Sequence, residues 1–312
     1  MKVCSFLPAA TQMMYDMKLD GMLEGITFEC PEQALSEKPP VVRCVLEGKN
    51  YSSIEIDKIF SASKASGKSL YYVDEELIQE IAPDVIFTQD VCDVCQIDTE
   101  CTSRAVAKLP KQPELISLTP QSLHDVFDNA LTIAKAVGQE EVAYQYLGGL
   151  QQRIDLIIDT LRKHKTLPRR VSLLEWIDPI YNCGHWIPHQ IGYAGGVDML
   201  SNPSSDSIRM EWERIAKYDP EVLVIAPCGF NIERAAEEID ILVNKKGWDQ
   251  VSAVRNGEVY LVDFDLFTQS SAGTLVDGIE VLASLFHPEI FNLPKRISHK
   301  AKAIELIKLG IK

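Results

Sequence analysis

Short apolar stretches alternate along the chain with segments in which apolar residues recur at helical spacing. In the first half the short stretches lie at 2–7, 22–27, 84–89 and 114–118, and each is typical of a strand. The segments between them have helical periodicity and lie at 9–19, 52–67, 74–82 and 120–138, the last ending at Gly138. Strands that alternate with helices predict mostly parallel sheets with helices on both faces, an α/β fold.

The same rhythm restarts in the second half of the chain. Strands are predicted at 170–176, 221–227 and 257–263, with one helix after Pro188 and a terminal helix at 273–291. Between the halves, residues 139–165 form a long helical pattern that opens with acids and closes with bases, as the helix dipole favours. We therefore predict two Rossmann-like lobes, an N-terminal α/β lobe at 1–138 and a C-terminal α/β lobe with a helical tail at 167–312, joined by one long backbone helix at 139–166.

Two segments of the first half have counterparts in the second. "ELIQEIAPDVIFTQDVC" matches "EWERIAKYDPEVLVIAPC", each a helix followed by a proline, an acid, a strand and a loop that contains cysteine. A weaker match relates "FLPAATQMMYDMKLDGML" to "HWIPHQIGYAGGVDML". Two matches in the same order indicate two lobes of similar topology.

Length and charge limit the function further. The 312 residues are about twice the usual length of one domain, and a net charge of −14 leaves little to neutralise the phosphates of nucleic acid. The first residues form neither a secretory leader nor an apolar run that could span a bilayer. We therefore expect a cytosolic protein that does not insert into a membrane and binds no nucleic acid.

The expected location changes the meaning of the eight cysteines. Disulfides are uncommon in the cytosol, so these cysteines are either small hydrophobic residues or ligands for metals and redox centres. Cys4 alternates within a strand and is expected in the core. Cys183 could face the cleft beside His185 or pack in the core, and the sequence indicates no role for Cys44.

Four other cysteines follow predicted strands. Cys30 follows the strand at 22–27, Cys92 and Cys95 follow 84–89, and Cys228 follows 221–227. Ligands of open parallel sheets bind at the carboxyl ends of strands, so these residues would line one cleft if the lobes face each other. Thiolates from both lobes could hold zinc or an iron–sulfur cluster. The alternative is a set of buried thiols, and Cys101 is a weaker candidate ligand.

Taken together, several segments resemble the class III substrate-binding proteins of ATP-driven uptake systems. They include "SFLPAATQMMYDMKL", "GITFECPE", "DEELIQEIAPDVIFTQDVCDVC", "LEWIDPIYNCGHWIP" and "APCGFNIERA". The chain is most similar to a branch without signal peptides that carries these cysteines and is described as cobalamin-binding. The resemblance implies two Rossmann-like lobes, a backbone helix, and a corrinoid or another tetrapyrrole held between the lobes.

Candidate ligand-binding residues lie near the strand ends of the second lobe. Large aromatic side chains can grip a flat ring at little entropic cost, which points to Trp176, Trp186, Trp212 and Phe230. Glu175 could bind the ligand or pair with Arg209. The imidazole of His185 could coordinate cobalt, iron or zinc. Alternatively, His185 packs in a loop and contacts no ligand.

Common enzyme motifs are missing from the sequence. It has no phosphate-binding loop, no His-Glu-x-x-His zinc motif and no Gly-x-Ser-x-Gly nucleophile elbow. The preferred interpretation is a binding protein for a small metal-containing ligand, with cobalamin or a related corrinoid first. The alternative is a metal ion or iron–sulfur cluster on Cys30, Cys92, Cys95 and Cys228 with a redox, metal-handling or enzymatic role. Without a leader, a membrane transporter is not an expected partner.

Overall fold

Two compact α/β units make up the chain. The computed structural model describes residues 1–66, 68–89, 99–107 and 109–304. Unit 1 comprises Met1–Tyr51, Glu55–Pro120 and His124–Gly148, and unit 2 comprises Ser52–Ile54, Gln121–Leu123 and the chain from Gly149 onward. Both units have mostly parallel sheets, which confirms the predicted fold class. The predicted cleft between lobes stays a prediction.

The sheet of unit 1 has the strand order β4-β3-β2-β1-β5-β6. All neighbours are parallel except β3 and β4. The strands are β1 (Val3–Ser5), β2 (Leu23–Thr27), β3 (Pro40–Cys44), β4 (Tyr71–Val73), β5 (Val85–Thr88) and β6 (Glu114–Ser117). The prediction of four strands was wrong by two, β3 and β4. The first opens with proline, which is tolerated at the start of a strand, and the second is too short to show a period.

Five of the helices described in the first half of the chain lie where the periodicity predicted them. The helices there are α1 (Pro8–Asp16), α2 (Glu32–Glu37), α3 (Ser53–Ser66), α4 (Glu75–Ile81), α5 (Thr99–Val106) and α6 (Leu123–Ala136), followed by the long helix α7 (Glu140–His164). The short helices α2 and α5 were not predicted. Gly138 ends α6 with a φ of 69°, a left-handed conformation that favours glycine.

The main sheet of unit 2 has the order β13-β12-β11-β7-β9, and β8 pairs separately with β10. The strands are β7 (Arg169–Leu174), β8 (Gly184–His185), β9 (Gly196–Val197), β10 (Asn202–Pro203), β11 (Val222–Ile225), β12 (Val259–Val262) and β13 (Ala301–Ala303). The helices are α8 (Ile187–Tyr193), α9 (Trp212–Tyr218), α10 (Ile232–Glu238), α11 (Asp240–Val243), α12 (Ser252–Arg255), α13 (Asp265–Thr268) and α14 (Ala272–Phe286).

The C-terminal tail differs from its prediction. In the part of the tail that the structure describes, residues 295–303 do not form the expected helix, because Lys295–Lys300 forms a 3₁₀ turn and β13 then pairs antiparallel with β12. Without β13, the outer backbone groups of β12 would be an unpaired sheet edge. The tail therefore covers an edge that the local charge pattern does not reveal.

The two units share one topology, as the sequence matches predicted. The order β2-β1-β5-β6 in unit 1 corresponds to β9-β7-β11-β12 in unit 2. The helices α4 and α9 both end in a left-handed residue directly before a proline, Ala82 with φ 49° and Asp219 with φ 52°. A strand follows in each case, so the two matched segments share a helix, a left-handed residue, a proline and a strand over the residues that the structure describes.

An acidic side chain locks the start of the matched strand in each unit. In unit 1, Lys2 donates its backbone N–H to Asp84 Oδ2 at 2.8 Å, and Asp84 N donates to Lys2 O at 2.8 Å. In unit 2, Arg170 N donates to Glu221 Oε2 at 2.8 Å, and Glu221 N donates to Arg170 O at 2.8 Å. The acid that follows each proline therefore sets the register of two central strands.

The boundary between the two units lies inside helix α7. The helix has 25 residues, and the boundary falls between Gly148 and Gly149. Ala143 is buried on the unit 1 side, and Leu150 and Ile154 are buried on the unit 2 side. Each end of the helix thus belongs to a different core.

The core of unit 2 is tightest where α14 packs on the end of α13. A Cβ atom at Gly278 would lie 2.3 Å from the carbonyl oxygen of Leu266 and 2.7 Å from Gln190 Nε2. That amide donates to Leu266 O at 2.9 Å and Leu275 O at 2.8 Å. Only glycine leaves room for this arrangement. Within the described residues, no helix has the length and apolar character to cross a membrane.

Candidate ligand-binding site

Loops at the carboxyl ends of β7, β11 and β12 form one connected surface in unit 2. We call residues 175–185, 204–209, 228–238 and 263–265 the strand-end surface. The backbone N–H of Cys228 donates to Glu175 O at 2.9 Å, and that of Phe264 donates to Phe230 O at 3.2 Å. Ile232 N donates to Asp263 Oδ1 at 2.8 Å. These bonds tie three strand ends together, as the parallel sheet requires.

A pair of aromatic rings stands at the centre of this surface. The rings of Trp176 and Phe230 have centroids 5.2 Å apart at an angle of 52°. Phe230 is buried, whereas Trp176 is partly exposed. Trp186, Trp212 and Trp248 are buried, so Trp176 is the indole that solvent reaches. The pair combines a fixed ring with an accessible one, which suits contact with a flat ligand.

Arg234 packs on the face of the Phe230 ring. Its guanidinium lies 4.4 Å from the centroid of the Phe230 ring, a cation–π contact. It also donates to the buried carboxylate of Glu238 and lies 3.2 Å from Glu237 Oε2. Phe230, Arg234 and Glu238 follow one another at intervals of four residues. Residues four apart interact on a helix, so the spacing of Arg234 and Glu238 on α10 was a signal in the sequence for this contact, which the predicted site did not include.

Glu238 also holds the first residues of α3. Its carboxylate accepts the backbone N–H of Ser53 at 3.0 and 3.1 Å and the Ser53 hydroxyl. Residues 52–54 belong to unit 2 although the rest of α3 lies in unit 1. A contact across 185 residues has no local sequence signal, so this role of Glu238 could not be found from the pattern.

Glu175 and His185 lie together on the strand-end surface. Glu175 Oε1 accepts the backbone N–H of Gly184 at 3.0 Å, which places its carboxylate beside the start of β8. His185 has a φ of 51°, a costly conformation for a residue with a side chain, and its N–H donates to Ser205 O at 2.7 Å.

The surroundings of His185 favour a neutral ring. Burial lowers its pKa, and Asp206, whose Oδ1 lies 3.2 Å from Nε2, opposes that shift. The neutral imidazole is the form that coordinates metals. In His185 that form is favoured, and the Nε2 atom of the ring is shielded from solvent.

Two predicted aromatic residues lie away from any accessible surface. Trp186 is 8% exposed and its indole N–H donates to Phe267 O at 2.6 Å. Trp212 is 3% exposed, stacks on Trp248 at 5.4 Å and donates to Lys246 O at 3.0 Å. Their indoles already have packing and hydrogen-bond partners, so the structure assigns both to the core rather than to a ligand face.

Cys183 lies behind His185 in the core. It is fully buried, and its thiol donates to Asp198 Oδ2 over 3.7 Å. The same carboxyl accepts the backbone N–H groups of Leu173 at 3.0 Å and Leu200 at 2.9 Å. Burial raises the pKa of Asp198 to about 6, and burial followed by the nearby Asp198 charge raises the pKa of Cys183. Cys183 is therefore a structural thiol.

We expect the stability of unit 2 to fall as pH rises from about 4 to about 6 because of Asp198. The folded chain keeps a proton on this carboxyl up to about pH 6, whereas the unfolded chain loses it near pH 4. Protonation therefore favours the folded state in that window, by an amount on the order of 3 kcal/mol. Denaturant unfolding at several pH values measures this slope, and Asp198→Asn should flatten it. An unchanged slope in the variant would contradict the assignment.

In unit 1, Cys30 follows β2 as predicted, but it lies buried against α1. Its thiol is 5% exposed and donates to Thr11 Oγ1 at 3.2 Å. Burial raises its pKa to about 11, with partial opposition from the hydrogen bond to Thr11. Without a bound metal, Cys30 is thus a protonated thiol held by Thr11. Cys4 and Cys44 are also buried, as expected for Cys4.

The structure describes only part of the predicted cysteine set. Cys92 and Cys95 lie outside the described residues, as does the side chain of Cys101. Cys228 is half-buried on the strand-end surface. Within the described part of the chain, the candidate ion-binding group is His124, Asp125 and Asp128 on α6, which contains no cysteine. The cluster hypothesis on Cys30, Cys92, Cys95 and Cys228 therefore stays a prediction.

The sequence of this chain matches a known protein family. A family described as periplasmic binding protein matches residues 62–266, about two thirds of the chain. The chain belongs to this family. The match spans most of unit 1 and the strand-end surface of unit 2, which confirms the resemblance seen in the sequence.

Individual relatives of the family are distant. An uncharacterized ABC transporter substrate-binding lipoprotein of Bacillus subtilis, YvrC, is 23% identical over 301 residues, covering 93% of this chain and 81% of YvrC. A periplasmic heme binding protein from Pseudomonas aeruginosa superposes with a TM-score of 0.70 at 16% identity, covering 95% and 96% of the two chains. The vitamin B12 binding protein BtuF of Vibrio cholerae gives 0.60 at 18% identity, covering 92% and 96%. At such identities the solved structures show the shared fold.

Proposed function

We propose that this member of the periplasmic binding protein family binds a metal-containing macrocycle, a corrinoid or another tetrapyrrole, on its strand-end surface. The observation that carries the proposal is the Trp176–Phe230 pair, with Trp176 accessible and Phe230 fixed. The relatives named for heme and vitamin B12 support this ligand class. The cytosolic location stays a prediction, and cell fractionation would test it.

The residues around the pair have distinct roles in this proposal. Trp176 supplies the contact area for a flat ring, and Phe230 with Arg234 keeps that indole in place. His185 offers an imidazole nitrogen to the metal of the ligand. Glu175 orients the loop that carries His185 through its bond to Gly184 N. Binding then requires no covalent step by the protein.

We expect Trp176→Ala to weaken binding of cobalamin or haem at least 10-fold. Truncation of a central aromatic contact typically costs about 2 kcal/mol or more in binding free energy. Isothermal titration of both macrocycles against the wild-type protein and the variant measures the change. Tyr144→Ala removes an exposed aromatic ring of α7, 61% exposed, and serves as the control. Equal affinity of wild type and Trp176→Ala would contradict the proposed site.

Fluorescence gives an independent readout. Trp176 is the accessible indole of the four, so a ligand bound beside it should quench mainly its emission. In Trp176→Phe, which keeps an aromatic ring, quenching should fall while binding by calorimetry persists. Anaerobic purification followed by metal and sulfide analysis addresses the cluster alternative separately, because a corrinoid site predicts no protein-bound sulfide.

A further inference from the structure

The charge of the strand-end surface bears on which macrocycle it accepts. This inference rests on the proposed function and deepens it. Tetrapyrroles and corrinoids share a flat metal-bearing ring but differ at the periphery. Haem carries carboxylate side chains, whereas cobalamin and cobinamide carry amides around a cationic cobalt, and cobinamide lacks the single phosphodiester of cobalamin. The charges that surround the aromatic pair therefore decide between them.

The strand-end surface is strongly acidic. Its segments contain eight acidic and two basic residues. The acids are Glu175, Asp178, Asp206, Glu233, Glu237, Glu238, Asp263 and Asp265, and the bases are Arg209 and Arg234. A further base, Lys300, comes from the tail and pairs with Asp265. An anionic ligand entering this surface would meet net repulsion.

Arg234 is the basic residue beside the aromatic pair, and its charge is already compensated. Its side chain is 21% exposed, and Glu238 and Glu237 contact its two terminal nitrogens. The face of the guanidinium lies on Phe230. A carboxylate could bind Arg234 only by displacing one of these partners. Arg234 is thus a positioning residue for the ring and a poor anchor for an anion.

Neighbouring acids act on one another across this surface. Burial raises the pKa of Asp263, and the charges of Asp265 and Glu233 raise it further, while the hydrogen bond from Ile232 N and the charge of Lys300 lower it. Burial is the largest cause of this shift. The charges of Asp265 and Glu233 add to it, and a carboxyl of a ligand at the end of β12 would meet the same two negative charges.

We infer that the strand-end surface selects macrocycles with an uncharged or cationic periphery and rejects those that carry carboxylates. Within the proposed ligand class, this favours an amide-bearing corrinoid over haem. The aromatic pair alone would accept the flat ring of either compound. The discrimination comes from the excess of acidic residues on this surface and from Arg234, whose charge is already paired with Glu237 and Glu238.

Matched pairs of macrocycles test the inference. Cobinamide and cobyrinic acid present one corrin ring with amides or with carboxylates, and haem dimethyl ester and haem form a second pair. In each pair we expect the carboxylate form to bind at least about 10-fold more weakly at low salt. The gap should narrow in high salt, because ions screen exposed charges. Equal or tighter binding of the carboxylate forms overturns the inference but leaves the proposed function intact. Failure of all four compounds to bind overturns the proposed function itself.

A charge variant isolates the role of Arg234. Glu237→Gln removes one of its partners at an exposed position and should improve the relative affinity for cobyrinic acid several-fold. Asp159→Asn is the matched control, because Asp159 is an exposed acid of α7 that pairs with Arg162 three residues away, as Glu237 does with Arg234. An equal gain in the two variants would show that total charge, rather than the charge at this surface, sets the preference, and would overturn the inference.

Discussion

Replacing Glu238 by alanine is expected to lower the free energy of unfolding of unit 2 by about 3 kcal/mol. The carboxylate is 8% exposed, and it accepts hydrogen bonds from Ser53 and Arg234. Its removal leaves a partly buried guanidinium without its main partner and the first N–H of α3 without an acceptor. Breaking a buried ion pair from one side typically costs about 3–5 kcal/mol, because the remaining charge stays desolvated.

Tryptophan fluorescence during denaturant unfolding measures this loss, since all four tryptophans lie in unit 2. Glu237→Ala is the matched control. It removes the neighbouring partner of Arg234 from a side chain that is 61% exposed, and exposed pairs contribute about 0–1 kcal/mol. Similar losses in the two variants would contradict the role of Glu238. Hydrogen exchange should also increase at the first residues of α3 in Glu238→Ala alone.

Gly278→Ala is expected to destabilise unit 2 by about 3 kcal/mol. The added methyl would lie 2.3 Å from the carbonyl oxygen of Leu266, a backbone atom that cannot rotate away. The helix end would have to shift, and Gln190 would lose its bonds to two backbone carbonyls. Overpacking of this kind costs about 1–3 kcal/mol, and loss of a buried hydrogen bond adds to it.

Gly192→Ala provides the opposite control for this prediction. Gly192 lies exposed in α8 with no atom within 4 Å of its added Cβ. Alanine at an unhindered helical position stabilises by up to about 1 kcal/mol. Thermal or chemical unfolding of the two variants should therefore shift in opposite directions. A neutral Gly278→Ala variant would show that α14 can move away from α13 without loss.

Elements that depend on neighbouring residues could be predicted from the sequence, whereas elements that depend on distant contacts could not. Strands such as β5 and β11 were predicted because a short apolar run follows a proline and an acid directly, a signal contained within a few residues. The antiparallel strand β13 was not, because its conformation depends on the open edge of β12 some 40 residues away. Propensity within the tail favoured a helix, and pairing with the edge prevailed.

The candidate site shows the same division. Glu175, Trp176 and Phe230 follow strands that reach one edge of the sheet, and the structure places them together on the strand-end surface. Trp212 was placed with them on its residue type, but burial against Trp248 depends on packing that no local pattern records. Ser53 was missed since its partner lies 185 residues further along the chain. Position after a strand thus indicated which candidates lie on the strand-end surface, whereas aromatic character did not distinguish Trp176 from the buried Trp212.

The division inside α7 has a practical consequence for dissecting the protein into fragments. A fragment that starts at residue 167, after the predicted connecting helix, omits Leu150, Ile154 and Ile157, whose side chains are buried in unit 2. A fragment that stops at residue 138 omits Ala143 from unit 1 in the same way. A cut between Gly148 and Gly149 therefore leaves each half with the helical turns that close its own core, but the second half then lacks residues 52–54 and 121–123 of unit 2 and, with them, the contact of Ser53 with Glu238.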